Sequence, residues 1–294
     1  MTNNILSCDY NTDKIYQHDG FSSSILDSFG SPGSAPRDLA WDGFNLLSVD
    51  ASIKKIYKHD GFSSTILDCF DSPYSYPQGV GWGSGDALSC DYNAHKIYQH
   101  DGFTSSIQDC FGSPGATPRG VAWDGSNLLS VDDSTDKIYK HDGFSSSILD
   151  CFSAPGVQAK GVAWDGSNLL SVDIETTKVY KHDGFSSSIL DCFSGPGPAP
   201  TGVSWEYVGV SYKLEGITKD KDGNVLGSCL CFLFRDNQNN SLRYVRFVLS
   251  DSVTGAYSFA GLLDNDAQYI VVAWKDDTPH VFDVTDHVLQ PVLE

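Results

Sequence analysis

The chain has 294 residues, of which only 19% are charged, yet its formal net charge is −19. An excess of that size repels the phosphate backbone of nucleic acids and the anionic face of a membrane, and it keeps a protein soluble. The length allows one large domain or two ordinary ones, and 28 Gly beside a single Met suit short strands and tight turns rather than helices.

The N-terminal MTNNILSCDY has neither a basic segment nor an apolar core, so no secretory signal is expected there, and no run approaches membrane-spanning length. From Asn4, NILSCD reads instead as a strand, followed by the strands KIYQHD and SILDSF. A strict repeat then takes over. Trp stands at 41, 82, 123, 164 and 205, and the triplet HisAspGly begins at 18, 59, 100, 141 and 182, both in steps of 41. A period near 40 without drift marks a repeat architecture.

One copy, Pro118 to Phe152, reads as four strands. GVAW is the first, with Val121 and Trp123 on one face and the small Gly120 and Ala122 on the other. AspGly makes a tight turn into NLLSVD, and a short polar loop leads to KIYKHD. A second AspGly turn and a Ser-rich stretch lead to SILDCF, and SerAlaProGly breaks the pattern. Four antiparallel strands per repeat describe a β-propeller blade, and the small-residue face lets the next blade approach closely. The Pro-x-Gly start, the Trp ahead of Asp and the LeuLeuSerValAsp second strand resemble the NHL-type blade over residues 1 to about 207.

First strands occur five times, the last at Gly202–Trp205, whereas the N-terminus supplies three strands without a first. The expected fold is therefore all-β, a five-bladed propeller over 1–207, with the last first-strand joining the N-terminal three to close the ring and remove open sheet edges. After Glu206 the period stops. Runs such as YKLEGI, CLCFLFRD, RYVRFVLSD, TGAYSFAGL and QYIVVAWKDD give about seven strands over 208–294, a small β-sandwich. The stretch Ser250 to Leu262, with its Asp-x-x-x-Gly-x-Tyr-x-Phe pattern, resembles transthyretin-like or carboxypeptidase-regulatory-like Ig-type modules. Such modules recur in bacterial surface proteins and tailed-phage virion proteins, and the resemblance implies a structural or adhesive part without catalysis.

The eight Cys form no CxxC pair. Cys8 and Cys90 align with Val49, Val131 and Val172, while Cys69, Cys110, Cys151 and Cys192 align with Ser28. All six are expected at small, buried packing positions, and Cys229 and Cys231 on one core face, rather than in disulfides or a zinc site. The repeated histidines, His18, His59, His100, His141 and His182, end third strands of different blades. They are too far apart to converge on a metal, and each is expected to be hydrogen-bonded at a hairpin corner. The repeated Asp27, Asp68, Asp109, Asp150 and Asp191 share one environment, so they offer no acid and base with separated pKa values; they are expected to bond main-chain donors or the neighbouring His. The acidic loop 132–136 lacks the Gly and Glu of a calcium loop. No catalytic motif, metal or cofactor is expected.

Differences between the copies fall unevenly. The turns HDGFSSS, HDGFSST and HDGFTSS hardly change, whereas the loops between second and third strands and the connections between blades vary freely. In a four-stranded meander the two variable classes emerge on one side of the disc. Tyr10, Asn11, Tyr74, Tyr76, Tyr92, Asn93 and His95 on that side are the candidate ligand contacts, with the C-terminal module expected on the opposite side as a mount. The expected function is a non-enzymatic structural and adhesion protein, a phage-type virion component such as a tail or fibre protein. Its partners would be other virion proteins in an oligomeric assembly and a host surface glycan, with no nucleic acid and no membrane insertion. It would be made in a host cytoplasm and reside in the virion. The alternative is a free, extracellular fivefold lectin in which the HisAspGlyPhe turns are the sugar sites.

Overall fold

The computed structural model describes residues 4–206 and, beyond them, the segments 212–217, 230–236, 242–249, 252–254, 256–262, 268–274, 283–284 and 292–293. The chain divides into two compact units at Tyr207/Val208.

The first unit is a five-bladed β-propeller. Blade 1 begins with β1 (Asn4–Asp9), β2 (Lys14–His18) and β3 (Ile25–Gly30). Blade 2 holds β4 (Pro36–Trp41), β5 (Leu46–Asp50), β6 (Lys55–His59) and β7 (Ile66–Asp71). Blade 3 holds β8 (Pro77–Gly83), β9 (Asp86–Asp91), β10 (Lys96–His100) and β11 (Ile107–Gly112). Blade 4 holds β12 (Pro118–Trp123), β13 (Leu128–Asp132), β14 (Lys137–His141) and β15 (Ile148–Ser153). Blade 5 holds β16 (Ala159–Trp164), β17 (Leu169–Asp173), β18 (Lys178–His182) and β19 (Ile189–Ser194). The last propeller strand, β20 (Pro200–Glu206), pairs antiparallel with β1, setting Ile5 opposite Trp205 and Ser7 opposite Val203, so that blade 1 has the order β20-β1-β2-β3. The five inner strands pack in a ring: β4 on β8, β8 on β12, β12 on β16, β16 on β20, and β20 on β4.

The core lies between blades. Ala40, Leu47, Val49 and Ile56 of blade 2 pack against Val80 and Ala87 of blade 3, with Trp82 and Phe103 covering the joint. Each buried Leu, Ile or Val side chain contributes about 1.5–3 kcal/mol by leaving water, and no blade can bury these faces alone. Close approach depends on glycine: a Cβ on Gly120 would lie 2.7 Å from the Lys160 carbonyl and 2.9 Å from Gly161 Cα.

The aromatic halves of the repeat complete one another across every joint. Phe29 at the end of blade 1 lies 5.4 Å from the His59 ring and 5.0 Å from Phe62 of blade 2. The same pairing recurs at the remaining joints, including the closing one, where Phe193 lies 5.0 Å from both His18 and Phe21. The sixteen-residue motif is repeated because its SILDCF end needs the next copy's HisAspGlyPhe.

One expectation is corrected. Cys8 and Cys90 are buried, but Cys69 is exposed and Cys110, Cys151 and Cys192 are half-buried. These four lie on the outermost strands, beyond which no further strand pairs among the described residues. The Ser/Cys exchange marks a surface position there, not a core one. On the same strands Asp27, Asp68, Asp109, Asp150 and Asp191 each accept a hydrogen bond from the main-chain N–H of the next residue, at 2.7–2.8 Å. They engage main-chain donors, as expected, and so cover part of an open sheet edge with charge.

Beyond the boundary the described segments are a turn at 252–254 and the strands β21 (Tyr212–Ile217), β22 (Leu230–Asp236), β23 (Leu242–Leu249), β24 (Ala256–Leu262), β25 (Gln268–Trp274), β26 (Asp283–Val284) and β27 (Val292–Leu293). They form two sheets, ordered β24-β21-β27 and β23-β22-β25-β26. Cys229, and the Asp and Gly of the Ser250–Leu262 motif, lie outside the described residues, and Cys231 is described only as a position on β22.

Candidate functional site: an aromatic and cationic belt on one face

The turn side is consumed by the fold. All five repeated histidines are 0% exposed. Each Nε2 bonds a second-strand serine hydroxyl, from Ser7–His18 at 2.7 Å to Ser171–His182 at 2.9 Å. In His59, His141 and His182, Nδ1 donates to a main-chain carbonyl at 2.7–2.9 Å. That bond sets the tautomer: the ring is neutral, and Nε2 accepts from the serine. Burial lowers all five pKa values, to about 4 for His18, His59 and His100. These are the hairpin-corner histidines the repeat implied, and with the Phe residues engaged between blades the turns present little free chemistry.

The variable loops and blade connections do share one side. Ser31 N–H bonds the Asp13 carbonyl, Ser34 N–H the Ser52 hydroxyl, and Asn93 Nδ2 the Ser75 hydroxyl. Beneath them lie five buried carboxylates, Asp9, Asp50, Asp91, Asp132 and Asp173. Each spans its own loop and the approach to the first strand. Asp9 accepts from Asn11 and Thr12 N–H at 3.0 Å and from Ala199 N–H at 2.7 Å. These acids are spent on main-chain donors, and Asp132 of the acidic loop is one of them. Among the described residues no group of three or more His, Cys, Asp or Glu could hold a metal ion.

Two registers of the repeat build the surface above. The second residue of each first strand is Arg37, Gln78, Arg119, Lys160 or Thr201; the residue after each second strand is Tyr10, Ala51, Tyr92, Asp133 or Ile174. A long side chain in the first register reaches the second-register residue of the preceding blade. Arg37 therefore lies over Tyr10, with Cζ 4.4 Å from the ring centroid, and Nη2 donates to the Tyr76 hydroxyl at 3.1 Å. Arg119 lies 4.9 Å from the Tyr92 centroid, donates to Gln78 at 2.8 Å, and pairs with Asp133 at 2.9 Å. Lys160 takes the same Asp133 oxygen at 2.8 Å. Tyr76 and Tyr92 stack edge to face at 5.8 Å, joining the two halves.

Of the predicted contacts, Tyr10, Tyr76, Tyr92 and His95 are thus drawn into one belt, the His95 ring lying 6.3 Å from Tyr92. His95 has a left-handed backbone (φ 53) and its Nδ1 donates to the Ala116 carbonyl. Tyr74 is 53% exposed, two residues before Tyr76. Asn93 ties its loop to Ser75, and Asn11 uses its main-chain N–H within its own loop. The cations Arg37, Arg119 and Lys160 were not among the sequence candidates. Their signal was the divergence of one first-strand register between copies.

Below the belt one first-strand position breaks the repeat. Position 38 is Asp where the other copies have Gly79, Gly120, Gly161 and Gly202. Its carboxyl is buried and accepts from Val80 N–H at 3.2 Å. Oδ1 lies 3.1 Å from where a Cβ on Gly161, in blade 5, would sit. Burial raises its pKa well above the usual carboxylate range, against the opposing pull of surrounding main-chain N–H groups. Away from the belt Trp41, Trp82, Trp123, Trp164 and Trp205 line a cavity of about 70 Å³, room for a few waters.

No family model matches the chain, and no curated protein matches it. Among solved structures, similarity is found to a chain of a nidogen/laminin complex (21% identity, TM-score 0.47, covering 68% of this chain and 83% of that one). Others are virginiamycin B lyase from Staphylococcus aureus (20%, 0.40, 58% and 59%) and glutaminyl cyclase from Myxococcus xanthus (10%, 0.46, 74% and 91%). Identities this low and scores under 0.5 say nothing about what this chain binds or does.

Proposed function

We propose that the protein is a non-enzymatic adhesion protein whose propeller is a binding head and whose variable face carries the recognition surface. The observation that carries this reading is the belt from Tyr10 through Arg37, Tyr76 and Tyr92 to Arg119. Aromatic side chains offer large contact area at small entropic cost, and with Arg they are the residue types that dominate binding interfaces. The buried histidines of the opposite turns, with Phe residues packed between blades, favour this face over the fivefold lectin. In the same reading the C-terminal unit is an Ig-like β-sandwich serving as mount, and the protein is a tail or fibre component of a phage-type virion, assembled with other virion proteins. The support for that setting is the resemblance carried by Ser250–Leu262. Electron microscopy of native particles labelled with an antibody to the propeller tests it: label at a tail or fibre is expected, and a protein found only as free monomer would overturn the virion setting.

A further inference from the structure

The three cations of the belt are not equally satisfied. Arg119 and Lys160 share the carboxylate of Asp133, at 2.9 and 2.8 Å. Arg37 has no acidic partner among the described residues. Its Nη2 is bonded to a neutral phenol, its buried Nε has no hydrogen-bond partner among the described residues, and its charge rests against the Tyr10 ring. The Asp50 carboxylate of its own blade is committed to Ala35, Ser52 and Ile53 N–H. A guanidinium held in place by aromatic rings and lacking a counter-ion is a preformed seat for an anionic group, because charge-assisted bonds to Arg are strong and geometrically selective. Tyr10, 39% exposed, and Tyr74, 53% exposed, present stacking surface on the same face. A bare anion would be repelled by a chain of net charge −19 unless further contacts added to the pair.

We infer that the variable face binds an acidic saccharide, with the sugar's carboxylate or sulfate on Arg37 and a pyranose ring on Tyr74. This rests on the variable-face reading and gives it a ligand class. The test titrates the full chain with polygalacturonate, heparin and neutral dextran by calorimetry at low and moderate salt, with melting measured on every sample. The wild type is expected to bind polygalacturonate or heparin, whichever carries the matching anion, with affinity falling as salt rises. Arg37→Gln should lose at least tenfold with unchanged melting, Arg37→Lys should lose less, and Tyr74→Ala should lose affinity while keeping the salt dependence. No binding to either acidic polymer, or binding that Arg37→Gln leaves intact, overturns the acidic class. If dextran binds and only Tyr74→Ala weakens it, the face reading survives without the acidic ligand. If both variants bind every polymer like wild type, the two readings fall together.

Discussion

Arg37 shows how little of a surface belt one residue reveals by itself. In the sequence it is a polar residue after a proline at the start of a strand. It acquires Tyr10 as a neighbour because blade 2 packs on blade 1, with β4 against β1 and β20. The tyrosines were legible because large aromatics in variable loops stand out; the cations were not, because the repeat alignment makes their register look like tolerated variation. The cysteines carry the opposite lesson. A position that accepts Ser or Cys is small and mildly polar, which fits a core gap and an outer strand equally well, so residue identity cannot separate them. The distinction is measurable. Burial pushes the Cys8 thiol up to about 12 and the Cys90 thiol well above its usual value, whereas Cys69 is exposed. Thiolate is the reacting form. With a thiol reagent at pH 8, peptide mapping should show Cys69 labelled at least 100-fold faster than Cys8 and Cys90, which react only after denaturant is added. Equal rates for Cys8 and Cys69 would contradict the burial.

At the scale of the strand and its turn, the HisAspGly corner is a buried neutral histidine repeated five times. In the unfolded chain its pKa is near 6.5, and in the fold it is about 4 for His18, His59 and His100 and lowered for His141 and His182. The unfolded state therefore binds more protons between those values, and stability falls as pH drops from about 6.5 towards 4. A pKa difference of that size is worth up to ~3 kcal/mol per histidine at the acid end. Asp38 works the other way: its raised pKa makes the fold bind the extra proton, so its contribution is lost as pH rises and recovered on acidification. One group opposes five, so the net slope keeps the sign of the histidines. Urea unfolding at pH 7, 5.5 and 4.5 should show steep loss of stability across the series, and a flat profile would contradict the buried neutral rings. Strand order and turn chemistry were legible at this scale because AspGly turns and alternating apolar residues set them locally. The Phe–His–Phe contacts between blades were not, since they join residues in different copies.

For the whole molecule, the period of 41 made blade number and closure readable, because only a closed ring gives each blade's faces a neighbour. The closed disc then separates two kinds of residue. One side holds the repeated turns, with buried histidines and inter-blade phenylalanines; the other exposes the copies' differences. The asymmetry of Asp38 and of the Arg37–Arg119–Lys160 register means the variable side has no fivefold symmetry, so on the proposed reading one ligand is expected per propeller. The measurement that tests this division most directly compares two variants for attachment to an array of neutral and acidic glycans and for melting, on the same samples. Tyr10→Ala/Tyr74→Ala should weaken attachment about tenfold or more while melting stays within a few degrees, the signature of exposed contact residues. Phe62→Leu/Phe144→Leu, which loosens two inter-blade contacts, should lower the melting temperature and leave attachment intact while the protein is folded. Tyrosine variants that bind like wild type, beside turn variants that stay folded and lose binding, would contradict the account and place recognition on the repeated turns.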